Sequence, residues 1–194
     1  MQRIFPGLGR VSRLAQFVLS CILLFQVATV SAGGATVASI ESQLRNDVHY
    51  LDARIQYGLT APMLDALHKG VPLTFVLEIE ISRQRNYVWD VTVAELEQRY
   101  LLEYHAVTQN YHVKNLNSGA SYSLPSLDIA LSVLGTIVDL PLLDDELLDS
   151  EANNVGRLRV QMDIEELPVP LRLLSYFSSE WHISSEWVTW SLQP

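Results

Sequence analysis

The chain is short of cysteine, of basic charge and of catalytic signatures, and each shortage excludes something. Among 194 residues there is one cysteine, Cys21, so no disulfide framework and no thiolate metal site can be built. Lysine and arginine number 13 against 22 acids, a formal charge of −9. That balance excludes the basic face a nucleic-acid binder needs. The sequence has no Gly-x-Ser-x-Gly elbow, no Ser-x-x-Lys, no Gly-x-Gly-x-x-Gly and no Walker loop. The five histidines, His49, His68, His105, His112 and His182, fall at none of the spacings that set two imidazoles on one metal. His105 and His112 would face each other if residues 108–110 formed a hairpin turn. Internal repeats and low-complexity segments are lacking too. The expectation is no catalytic residue, no metal and no cofactor.

Acidic residues are also missing from the first forty positions, where Arg3, Arg10 and Arg13 precede an uncharged apolar run, Leu14 to Val30. The run ends in Val30-Ser31-Ala32 before Gly33-Gly34. A basic head, an apolar core and small residues form the layout of a secretory signal peptide, with cleavage between Ala32 and Gly33. Residues 1–32 are therefore expected to be a signal peptide and residues 33–194 a single β-rich domain in the periplasm. An inner-membrane anchor with the body on the same side is the alternative, and a lipoprotein built on Cys21 is a weaker one. Removing 32 residues removes the cysteine and leaves ten basic residues against 22 acids, a net charge of −12. Such a domain repels anionic lipid headgroups as well as nucleic acid.

What is present is strand pattern. In residues 73–81 every odd position is apolar, while Glu78 and Glu80 share the other face. Period two with one charged face predicts a half-buried antiparallel strand with Leu73, Phe75, Leu77, Ile79 and Ile81 toward the core. The pattern predicts a hairpin of 73–83 with 86–97, then strands at 99–107, 110–116 and 157–164, with Asn117-Ser118-Gly119 as a turn. Residues 36–46 and 49–57 are weaker strand candidates, and 171–177 and 181–192 read as strand from their aromatic and β-branched content. Two short helices interrupt the strands. One is capped by Thr60, with Pro62 in its first turn, and stops at Gly70. The other is capped by Ser123, with Pro125 in its first turn, and stops at Gly135. Pro168-Val169-Pro170 reads as an extended connector. The fold class expected is a mostly β, two-layer antiparallel sandwich with two short helices. An α+β roll is the alternative.

Charged clusters admit bland and functional readings. Glu78 and Glu80 read as a solvated strand face. The run Asp144-Asp145-Glu146 with Asp149 and Glu151 lacks the glycine of a calcium loop and reads as an exposed acidic loop. The Arg-x-Arg pairs 83/85 and 157/159 suit carboxylate or phosphate recognition, or pairing with Glu78, Glu80 or Asp163. The hairpin tip, with Arg83, Arg85, Tyr87 and Trp89, combines the residue types that concentrate binding energy, and it is the candidate partner-binding site.

Several phrases together carry a resemblance. They are Leu51-Asp52-Ala53, residues 66–75 (ALHKGVPLTF), Glu80 to Arg85 with Tyr87 and Trp89, residues 104–108 (YHAVT) with Tyr111, Ser126-Leu127 with Ala130-Leu131, residues 167–171 (LPVPL), and Glu180-Trp181 with Ser185-Glu186-Trp187. In order and spacing they resemble a family of uncharacterised exported proteins of Gram-negative bacteria, a domain of unknown function. The resemblance brings no catalytic residue with it. It implies gene neighbours that encode a two-component system with a nitrogen-responsive type of membrane sensor kinase. The functional expectation is a non-catalytic periplasmic interaction or sensing-accessory module whose partner is an envelope or membrane protein. A binder of an apolar or anionic small ligand is the alternative, and a hydrolase is third.

Overall fold

The computed structural model describes residues 33–85, 89–149 and 152–192. The proposed signal segment and its cleavage junction at Ala32 lie outside the described residues.

Among the described residues nine strands form two antiparallel sheets. The smaller holds β1 (Gly34–Arg45), β2 (Val48–Gly58) and β7 (Thr136–Asp144) in the order β1-β2-β7. The larger holds β3 (Leu73–Gln84), β4 (Val91–His105), β5 (Asn110–Asn115), β6 (Ser121–Leu124), β8 (Asn153–Met162) and β9 (Val188–Leu192) in the order β6-β5-β4-β3-β8-β9. The architecture is the sandwich that alternation predicts, and among the described residues three helices accompany it rather than two. They are α1 (Ala61–His68), α2 (Leu127–Leu134) and α3 (Val169–Ser175).

Strand β3 lies inside the larger sheet, paired with β4 along one side and β8 along the other. Leu73, Phe75, Leu77, Ile79 and Ile81 are all buried, as the odd–even pattern requires. Against them pack Leu51, Ala53 and Ile55 of β2 with Ile137 of β7, members of one hydrophobic core. Strand β8 repeats the rule with Leu158, Val160 and Met162 inward. Its Gly156 pairs with Trp190 of β9, and a side chain there would run into the indole ring.

The helices start where local chemistry starts them. The Thr60 side chain accepts from Met63 N, and Pro62 occupies the first turn of α1. The cap of α2 is Ser126, whose hydroxyl accepts from Ile129 N. The expected cap Ser123 belongs instead to β6 and pairs with His112. The most informative correction is residues 171–177. They read as strand from composition, but Pro170 sits in the first turn of α3, and Leu171, Arg172, Leu173 and Leu174 are good helix formers. A second correction joins two expected strands. Residues 99–107 do not form a strand apart from 86–97, because β4 runs unbroken from Val91 to His105. Between 181 and 192 only Val188–Leu192 is a strand, preceded by a 3₁₀ turn at Ser179–Trp181.

The acidic stretch, described over residues 144–149, is not wholly free in solvent. It turns through a 3₁₀ segment, Asp145–Leu147, and Asp145 Oδ1 lies 2.8 Å from Nε2 of His49, which is almost wholly buried. The amide of Asp145 also donates to the Asp47 carbonyl. One carboxylate thus satisfies a buried imidazole that would otherwise lack a partner.

Truncating β3 at its centre is the direct test of this arrangement. Leu77→Ala should lower unfolding free energy by about 2–5 kcal/mol in denaturant melts, the usual range for a buried leucine. Glu80→Gln, on the outer face of the same strand, should cost about 1 kcal/mol or less.

Candidate functional site

The β3–β4 hairpin is paired as far as Arg83 and Val91. Register runs Ser82 to Thr92 and Arg83 to Val91, after a bulge between Ile81 and Ser82. A bulge bends the strand locally and increases its twist. Trp89 is 92% exposed, and Arg85 and Asp90 are exposed beside it. The Arg85 amide donates to Asp90 Oδ1 at 3.2 Å, so the start of the tip is held by one side chain. Tyr87 lies outside the described residues.

Arg83 behaves differently from Arg85. Its backbone pairs with both Val91 and Asn154, its side chain is half-buried, and Nη1 approaches Asp149 at 3.7 Å. It belongs to the base of the hairpin and connects it to the acidic loop. Of the four candidate tip residues, Arg85 and Trp89 are therefore presented outward and Arg83 is held at the root.

The other Arg-x-Arg pair takes the cross-strand option. Register sets Glu78 opposite Arg159 and Glu80 opposite Arg157. Arg159 donates to Glu78 Oε2 through Nε at 2.9 Å and Nη2 at 2.5 Å, while Gln161 Nε2 donates to Glu78 Oε1 at 2.7 Å. Arg157 pairs with Glu80. Both guanidinium groups also lie over the Trp187 ring, each 4.7 Å from its centroid. A single indole thus lies against two cations whose fork ends are occupied by carboxylates. On β4, Arg99 bonds Glu97, Asp163 and Glu166, and the Asp163 and Glu97 carboxylates push its pKa up further. On the outer face of the larger sheet, Arg99, Arg157 and Arg159 are each engaged in ion pairs.

A cleft of about 550 Å³ opens between the layers on the side where β6 and β7 form the sheet edges. Tyr100, Tyr122, Ser132 and Thr136 bring hydroxyls to it, and Val113, Val133 and Ile137 bring apolar surface. Its one charged side chain is Asp139, which pairs with Arg45. Asp139 also has a positive φ of 52°, and its amide is held by Asp52 Oδ1 at 2.8 Å. Burial pushes the Tyr100 hydroxyl's pKa up, so it stays a neutral donor. With no basic group among the described lining residues, the cleft suits a neutral or apolar molecule rather than an anion. Sequence reasoning has no access to this feature, because its walls come from strands far apart in the chain.

The rings of His105 and His112 do stack, with centroids 4.1 Å apart. Their Nε2 atoms point to Glu103 at 3.6 Å and Ser123 at 3.4 Å. Among the described residues no group of three His, Cys, Asp or Glu side chains is arranged to hold a metal ion.

Residues 32–191 match a family described as a domain of unknown function, DUF4390. The chain belongs to that family. No curated protein and no solved structure matches it. The family covers the whole sandwich, from before β1 to within β9, so every surface described above lies inside it. Among the described residues no helix is long and apolar enough to cross a membrane.

Proposed function

We propose that the chain is exported to the periplasm and works there as a non-catalytic interaction module, an accessory to envelope sensing that engages the periplasmic face of a membrane sensor kinase. The observation that carries this reading is the exposure of Trp89 at the end of a braced hairpin. An indole left in water forgoes the free energy of burial, and large exposed aromatics mark contact sites. Arg85 beside it adds a cation on a strongly acidic domain, so an acidic partner surface is both attracted and oriented. The pairing of Arg157 and Arg159 with Glu78 and Glu80 supports the same choice, since those cations are already taken.

Crosslinking in the envelope tests it. Arg85→Ser with Trp89→Ser should leave the melting temperature within about 1 °C, because neither side chain is in the core, and should remove at least about 90% of the crosslinked membrane partner. Retention of the partner, loss of folding, or absence of any crosslinked membrane protein with the unaltered chain contradicts the reading. Arg83 is left in place because it braces the acidic loop.

A second reading rests on the cleft between β6 and β7. A site of that volume, lined by uncharged hydroxyls and apolar side chains with no cation, fits a small neutral ligand. A neutral fluorescent probe such as N-phenyl-1-naphthylamine should bind with micromolar affinity, and Ala120→Trp, which adds an indole to the lining, should weaken it about tenfold or more. Equal binding by the two proteins, or none by either, removes this reading.

A further inference from the structure

The cleft between β6 and β7 is lined in two zones. Val113 and Ile137 are buried at its base, with Val133 half-buried beside them. Ser118, Tyr122, Ser132 and Thr136 are exposed around that base. Strand register places the aromatic part. Tyr100 pairs with Asn115, and Val113 pairs with Tyr122. Val113 and Asn115 are two residues apart, so all four side chains share the inner face of the larger sheet. The two phenols therefore stand on β4 and β6, two strands and about 10 Å apart, with β5 between them.

The polar groups offer both donors and acceptors. The Thr136 hydroxyl donates to the Ser132 carbonyl at 2.7 Å, which leaves its oxygen to accept. The Ser118 oxygen accepts from the Ala120 amide at 3.3 Å, which leaves its proton to donate. Among the described residues no protein group bonds the Tyr122 or Ser132 hydroxyl. The Asp139 carboxylate is paired with Arg45, so no unpaired charge selects an ion.

The two zones together narrow the ligand. A wholly apolar molecule seated here would strip water from the hydroxyls and return no hydrogen bond, which carries a cost for each group. A molecule polar on every side would leave the valines, the isoleucine and the ring faces without apolar contact. Both zones are satisfied by a molecule with a C–H face and a rim of uncharged hydroxyls. A pyranose ring has that form. Its C–H groups lie against aromatic faces, and its hydroxyls donate and accept.

We propose that the cleft binds a neutral pyranose sugar, seated against the Tyr100 and Tyr122 rings with its hydroxyls met by Ser118, Ser132 and Thr136. The proposal rests on the reading of the cleft as a small-ligand site and names the class of that ligand. The same ring occurs free and as a unit of a neutral glycan chain, and the test separates these sources.

The full chain is titrated with methyl β-glucopyranoside, with cellotetraose and, as the charged control, with glucuronate. Saturation-transfer NMR and displacement of N-phenyl-1-naphthylamine are read. The glucoside should receive saturation and displace the probe, and glucuronate should be weaker by about fivefold or more on this acidic domain. Tyr122→Ala removes an exposed ring and should weaken the glucoside about fivefold or more with the melting temperature unchanged. Equal affinity for the glucoside and cellotetraose assigns the cleft to a free ring, and a preference of about tenfold for cellotetraose assigns it to a chain. A probe that binds, is weakened by Ala120→Trp and is displaced by no sugar overturns the proposal and leaves the small-ligand reading standing. Binding by neither probe nor sugar overturns both. Sugar binding that Ala120→Trp or Tyr122→Ala leaves unchanged, or that glucuronate matches, also overturns the proposal.

Discussion

The structure depends on one strand satisfying two neighbours at once. Strand β3 is paired on both sides, to β4 and β8, from Phe75 to Arg83, so its central length is no free edge. Its inner face supplies five consecutive alternate core side chains, and these meet the smaller sheet. Its outer face supplies Glu78 and Glu80, which fix β8 through Arg159 and Arg157. Apolar burial gives this arrangement most of its free energy. The part-exposed ion pairs add about 0.2–1 kcal/mol each, and their larger effect is on register. A one-residue slip would place Glu78 and Glu80 in the core.

That constraint also accounts for what is left outside. With the sheet pinned at β3, the β3–β4 connection has to continue past the last paired residues, and Trp89 is carried into solvent with it. The ends of the sheet order, β6 and β9, and the outer strand of the smaller layer, β7, set where the sandwich stays open. The 550 Å³ cleft lies along β6 and β7. Helix α3 covers neither opening. It is attached through Leu167, Leu171 and Ser175 and turns its remaining side chains outward. Tip, cleft and helix are three separate surfaces on one framework.

Period-two alternation made β3 and β8 legible, because each is buried on one face and charged on the other. The α1 boundaries followed from Thr60, Pro62 and Gly70. Arg157 and Arg159 could be assigned to the Glu78–Glu80 face as one of two options, and strand register decides between them. Other features depend on distant parts of the chain. Leucines in 171–174 look alike in strand and helix, and Pro170 could be read as connector or helix start. Asp145 looked like solvated charge because nothing local shows that His49, 96 residues away in sequence, needs it. Of the candidate site, a turn was legible in residues 83–86, but the exposure of Trp89 was not, since 86–97 read as one strand and β4 begins only at Val91. The separation of Arg83 from Arg85 was not, since Asp149 is what divides them.

Native-state hydrogen exchange tests the central claim most directly, because it ranks elements by the free energy needed to open them. If β3 is the strand on which the fold depends, the amides of Leu77 and Ile79 exchange only with global unfolding. Those of Trp89, Asp90 and the outward residues of α3 should then exchange by local opening, about a thousandfold faster or more. Protection in α3 or at the tip equal to that of β3, or local opening of β3 below the global limit, would contradict the account.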